Sequence, residues 1–124
     1  MTNKSQTPDL TITRAVDRVH TAFHGYLRTL CEDEGISFST KDDLVKLIKL
    51  LFASHPKLDI STKPLEVKNI VRNLVSIADS LNPIRNQGSR AHPNKLTLEE
   101  AEAILVINSI YSALVYFDTK VQQN

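Results

Sequence analysis

Apolar residues recur along this chain at steps of three and four, the spacing that stacks side chains on one face of a helix. The first such segment begins after Pro8-Asp9. Ile12, Val16, Val19, Phe23, Leu27 and Leu30 form one stripe, which Ala15, Ala22 and Tyr26 widen. Glu32-Asp33-Glu34 and then Gly35 end it, with Gly35 placed to be the left-handed residue just past the helix. Three acids at that end oppose the helix macrodipole, so the last turn is expected to fray. Residues 36–39 alternate apolar and polar over too short a stretch for a strand. A second helix is predicted after Thr40, which has capping-box spacing with Asp43. Leu44, Leu47, Ile48 and Leu51 are its buried stripe, Lys46 and Lys49 lie outside, and His55-Pro56 stops it.

The third helix is predicted from about Pro64, well suited to a first helical position. Val67, Val71, Leu74, Ala78 and Leu81 line its buried face, and Ile70 and Ile77 broaden it. Asn82-Pro83 interrupts the pattern. Either the helix kinks there, or Asn82 caps a new short helix with Pro83 at its first position. Ala91-His92-Pro93 ends whatever follows. The last helix is predicted from Thr97, with Glu100 completing a second capping box. From Ala103 to Phe117, twelve of fifteen residues are apolar. A helix that is apolar nearly all round must be covered on all sides. Three other helices leave one such surface for a second copy of the chain. The expected architecture is all-α: an antiparallel bundle of four main helices, with a short helix or kinked turn before the last. A polar N-terminal tail over residues 1–8 precedes a single helical domain over 9–121, and a homodimer is expected.

Composition narrows this further. The chain has 124 residues, with only three Gly and five Pro, too few for the turns of an all-β sandwich. A net charge of +1 argues against coating nucleic acid by charge alone. One Cys rules out an internal disulfide framework and a four-Cys zinc site. No uninterrupted run of eighteen apolar residues and no apolar leader at the N-terminus point to a soluble, cytoplasmic protein without a membrane partner.

Two places could hold chemistry. His20, His24 and Cys31 share a face of the first helix, but no fourth ligand stands at a recognisable spacing, so no metal and no cofactor is expected. Cys31, beside three acids at a helix C-terminus, is a poor nucleophile. The second place is the segment from Leu81 to Pro93. No carboxylate occurs between Asp79 and Glu99, while Arg85, Arg90, His92 and Lys95 all do. If a helix runs through it, Arg85 and His92, seven residues apart, project from one face. A guanidinium can grip a phosphate bidentately, and an imidazole can take and return a proton near neutral pH.

Arg85-Asn86, five further residues and His92 resemble the arginine–polar…histidine motif of the HEPN superfamily of small helical ribonucleases. The likeness extends to Thr13-Arg14-Ala15-Val16-Asp17, Glu34-Gly35-Ile36, Ser89, Ala91-His92 and the long apolar last helix. It is to the C-terminal domain of abortive-infection proteins, either standing alone or cut from a longer chain. Arg14 to His20 and Arg18 to His24 fit the bare spacing too, but each lacks the polar follower, and six residues set a pair about 120° apart on a helix. Arg90 and Pro93 stand where such proteins often carry an acid and a glycine.

The resemblance implies a helical dimer whose two motifs face each other, and metal-independent RNA cleavage in toxin or antiphage systems. It assigns catalysis to Arg85, Asn86 and His92. Arg90 and Lys95 become contacts to the RNA backbone, and an antitoxin-like or N-terminal regulatory partner is implied. Products would carry 2′,3′-cyclic phosphate and 5′-hydroxyl ends. The competing reading is an inactive dimeric module in which the same patch binds RNA, a nucleotide or a partner.

Overall fold

The computed structural model describes residues 10–88 and 99–123, with side chains at 11, 14–80 and 99–123. The N-terminal tail over 1–8 lies outside them. The chain forms α1 (Leu10–Asp33), α2 (Leu44–Ser54), a 3-10 turn (Pro56–Leu58), α3 (Leu65–Gly88) and α4 (Glu100–Gln122), with no strand among the described residues. The expected all-α bundle is what forms: α1 packs against the other three helices, and α4 also touches the 3-10 turn.

The inward row of α1 is Val16, His20, Phe23, Leu27, Leu30 and Cys31, all buried. The side chain of Ile12 lies outside the described ones. The helix ends as its glycine predicts. Gly35 has φ +68°, a conformation that side-chain-bearing residues rarely adopt. Its N–H donates to the Glu32 carbonyl at 3.1 Å, and the Ile36 N–H reaches the Cys31 carbonyl at 2.8 Å. These two bonds satisfy carbonyls that a helix end otherwise leaves open, so the last turn is closed in spite of its acids.

The start of α2 differs from the expectation. Its N-cap is Asp43, whose carboxylate accepts the Lys46 N–H at 3.0 Å. Thr40 sits instead in a turn upstream. There the Ser39 N–H donates to Asp42 Oδ2 at 2.9 Å and the Asp42 N–H returns to the Ser39 carbonyl at 3.0 Å. Beyond the cap the pattern holds, and Leu44, Leu47, Ile48 and Leu51 are all buried. His55 then closes α2 and opens the 3-10 turn. Its N–H bonds the Leu51 carbonyl, and its buried ring accepts the Lys57 N–H at Nδ1.

On α3, Val71 and Ala78 are buried and Leu74 and Ile77 half-buried, but Ile70 is 62% exposed. Leu81 lies outside the described side chains. Pro64 stands one position before the helix, and its carbonyl accepts the Lys68 N–H at 3.1 Å. The final helix is capped at Glu99 without a side-chain hydrogen bond. Thr97, the expected cap, lies outside the described residues, and the carboxylates of Glu100 and Glu102 supply the negative charge that a helix N-terminus favours.

Phe117 of α4 is fully buried, 6.1 Å from the Phe23 ring and 5.5 Å from the Phe52 ring, and so joins α1, α2 and α4. Ala103, Ile110 and Ala113 continue that inner face. The other face carries exposed Ile104, Leu105, Tyr111 and Val115, at 50%, 66%, 65% and 43%. By length and composition α4 could cross a membrane. In this fold, crossing would pull Phe117 and Ile110 out of the core.

Two outcomes follow for urea unfolding. Leu47→Ala, at a fully buried site, should cost about 2–5 kcal/mol, and half-buried Leu74→Ala less. Gly35→Ala should cost about 1–2 kcal/mol, the penalty of left-handed backbone for a residue with a Cβ.

Candidate functional site

The arginine–histidine segment begins on α3. This helix continues without a break through Asn82 and Pro83 to Gly88, so neither a separate short helix nor a new cap at Asn82 forms. Pro83 has no N–H to give the Asp79 carbonyl, which weakens the ladder just before the last turn. Arg85 and Asn86 stand together on that last turn. His92, Arg90 and Lys95 lie outside the described residues. Arg85 and Asn86 are therefore the assigned site residues that the fold brings onto one turn.

The other two arginine–histidine pairs are pulled apart by the fold. Arg14 and Arg18 are exposed on the outer side of α1, whereas His20 is buried at 4% exposure. The His24 Nε2–H donates to the Asp42 carbonyl at 2.8 Å, tying α1 to the turn before α2. The His20 and His24 rings meet edge to face, with centroids 6.2 Å apart. Both histidines belong to packing. Cys31 is buried as well, and burial, then the charges of Asp42 and Glu32, push its thiol up, away from the reactive thiolate. Among the described residues, no group of three His, Cys, Asp or Glu side chains could hold a metal ion.

What periodicity could not reveal is how α4, the helix that follows the segment, is held. Lys57 Nζ donates to the Val121 carbonyl at 3.1 Å and also to the Gln123 carbonyl. A cation there neutralises the negative end of α4. On α1 the Tyr26 hydroxyl donates to Asp118 Oδ1 at 3.2 Å. Burial, then the Asp118 charge and this bond, push the Tyr26 phenol up to about 12. Lys57 and Asp118 stand outside any apolar stripe, so no signal in the chain marks them.

The chain belongs to the HEPN-like domain family of the abortive-infection C-terminal type, whose family model spans residues 8–120. No curated protein and no solved structure shows significant similarity to it.

The Tyr26–Asp118 latch has a pH signature. A phenol whose folded pKa lies above its unfolded value of 10.0 adds stability below pH 10, and that stability is lost as pH rises through about 12. Tyr26→Phe should remove the highest-pH step from a tyrosinate absorbance titration. It should also shrink the loss of thermal stability above pH 10.

Proposed function

We propose that this protein is a metal-independent endoribonuclease of toxin or antiphage type, acting in the cytoplasm as a homodimer with a composite site. One observation carries the reading. In a chain of the HEPN-like family, Arg85-Asn86 falls on the last turn of α3, and His92 follows within a stretch that holds no carboxylate between Asp79 and Glu99. In this mechanism His92 takes the proton from a ribose 2′-hydroxyl, which attacks the adjacent phosphorus while the P–O5′ bond breaks. The same histidine, or that of the second subunit, protonates the departing 5′-oxygen. Arg85 stabilises charge on the phosphorane oxygens, Asn86 orients the phosphate or the imidazole, and Arg90 and Lys95 hold neighbouring phosphates. DNA lacks the attacking hydroxyl and is not cut.

The dimer is supported by the outer row of α4. Ile104, Tyr111 and Val115, at steps of seven and four, fall within an arc of about 40° on the outer side of α4, and exposed Leu105 lies about 100° round from Ile104. Exposed apolar side chains grouped in this way mark an interface. An antitoxin-like partner or an N-terminal regulatory domain would restrain such an enzyme.

Purified protein should cleave total RNA in EDTA, and His92→Ala should abolish that cleavage. Arg85→Ala should lower kcat by about 10²–10³, the scale of one lost oxyanion donor. Both variants should melt within about 1 kcal/mol of the parent. RNA left intact by the parent would favour the inactive binding module. Cleavage that vanishes in EDTA and returns with magnesium would contradict the mechanism. Light scattering should give a dimer, and a Leu105→Asp, Tyr111→Asp double variant a folded monomer.

A further inference from the structure

We propose that the outward face of α1 is a lane for the sugar–phosphate backbone of an RNA strand. The proposal rests on the ribonuclease reading for the identity of its ligand. On a helix of 3.6 residues per turn, Arg14, Arg18, Thr21, Gly25 and Arg28 fall within an arc of about 80°. Arg14 and Arg18 are exposed and Arg28 half-buried. The three arginines span fourteen residues, an axial length of about 21 Å. Asp17 borders this arc, and Glu32 to Glu34 close its far end.

Three properties of the face point the same way. Among the described residues, no ion pair or hydrogen bond engages these guanidinium groups, and Arg28 Nε is buried without a partner. Free guanidinium forks are suited to phosphate oxygens. Between them the surface is low. Gly25 lies mid-helix, where glycine costs about 0.5–1 kcal/mol relative to alanine. A Cβ built there meets no atom within 4 Å, so nothing inside the fold requires glycine. A backbone laid across Thr21 and Gly25 could approach α1 closely. Finally, the face has no apolar anchor: among the described residues, the exposed large hydrophobic ones are all on α3 and α4. Protein interfaces concentrate their binding energy in such anchors, whereas nucleic-acid interfaces are polar and strongly positive. This separates the α1 face from the apolar row of α4, and favours a phosphate backbone over an acidic protein.

The test measures binding in a His92→Ala background, where RNA survives. Labelled oligouridylate, oligodeoxythymidylate and polyglutamate are titrated over a range of salt concentrations. Both oligonucleotides should bind, because the lane reads phosphates. R14Q/R18Q/R28Q should weaken their binding, and its plot of log affinity against log salt should be shallower by about 2, as expected when three phosphates of a single strand are no longer neutralised. Replacing the same arginines by lysine should restore most of that slope. Gly25→Leu should weaken binding with thermal stability retained, and Gly25→Ala should bind nearly as the parent does.

An unchanged affinity and slope in the folded triple variant would overturn the lane. So would polyglutamate bound as tightly as oligouridylate and released by the same substitutions. The two readings fail separately. If the parent chain cuts no RNA but oligonucleotide binding depends on the arginines, the ribonuclease assignment falls and the lane stands. If cleavage is robust and the triple variant binds normally, the lane alone falls.

Discussion

The fold turns on the burial of Phe117. Its ring is fully enclosed and lies against Phe23 of α1 and Phe52 of α2, so a single side chain of the last helix joins three helices. Aromatic rings bury large areas, and offset contacts between them add to that burial. Around this centre, polar ties fix the rest of α4. Lys57 holds the carbonyls at its C-terminal end and Asp118 accepts from Tyr26. Neither tie is worth much alone at a solvated surface. The buried row of Ala103, Ile110, Ala113 and Phe117 sets which face of α4 turns inward, and hence which face is left over, and the ties reinforce it.

That leftover face connects the packing to the proposed function. A helix with two apolar sides cannot satisfy both within one small bundle. The inner row takes Ala103, Ile110, Ala113 and Phe117, and the outer row leaves Ile104, Leu105, Tyr111 and Val115 exposed. In the proposed dimer, a second copy seated on the outer row would cover it. The same association would bring two arginine–histidine segments into one assembly, as the composite-site reading requires. The outward face of α1 differs in kind: it has charge and no apolar anchor, and so suits a polyanion.

Legibility in the sequence follows the physics of each element. The stripe of α2 is readable to the residue, because Leu44, Leu47, Ile48 and Leu51 face a core that touches one side of the helix. Gly35 is readable because only a left-handed turn needs it. The cap of α2 is not. Thr40 and Asp43 are both good caps three residues apart, and the hydrogen bonds between Ser39 and Asp42 decide between them. Pro83 has the signature of a break, yet α3 runs through it. The cost of a proline is local, while tertiary packing decides whether a helix continues. Leu74 and Ile70 lie less deep than their spacing suggests, since periodicity defines a face without saying how much covers it. Of the proposed site, residue type and spacing single out Arg85-Asn86, which the fold places on the last turn of α3, and helix geometry separates the competing pairs at His20 and His24. The anchors Lys57 and Asp118 are not legible, because their partners lie 64 and 92 residues away.

The chemistry of the RNA ends tests the central claim most directly. Mass spectrometry of fragments produced by the parent chain in EDTA should find 2′,3′-cyclic phosphate on one side of each cut and a 5′-hydroxyl on the other. These are the ends left when a ribose hydroxyl, rather than water, attacks the phosphorus. Fragments with 5′-phosphate and 3′-hydroxyl ends, or equal cutting of DNA of the same sequence, would contradict an internal transesterification run by Arg85 and His92.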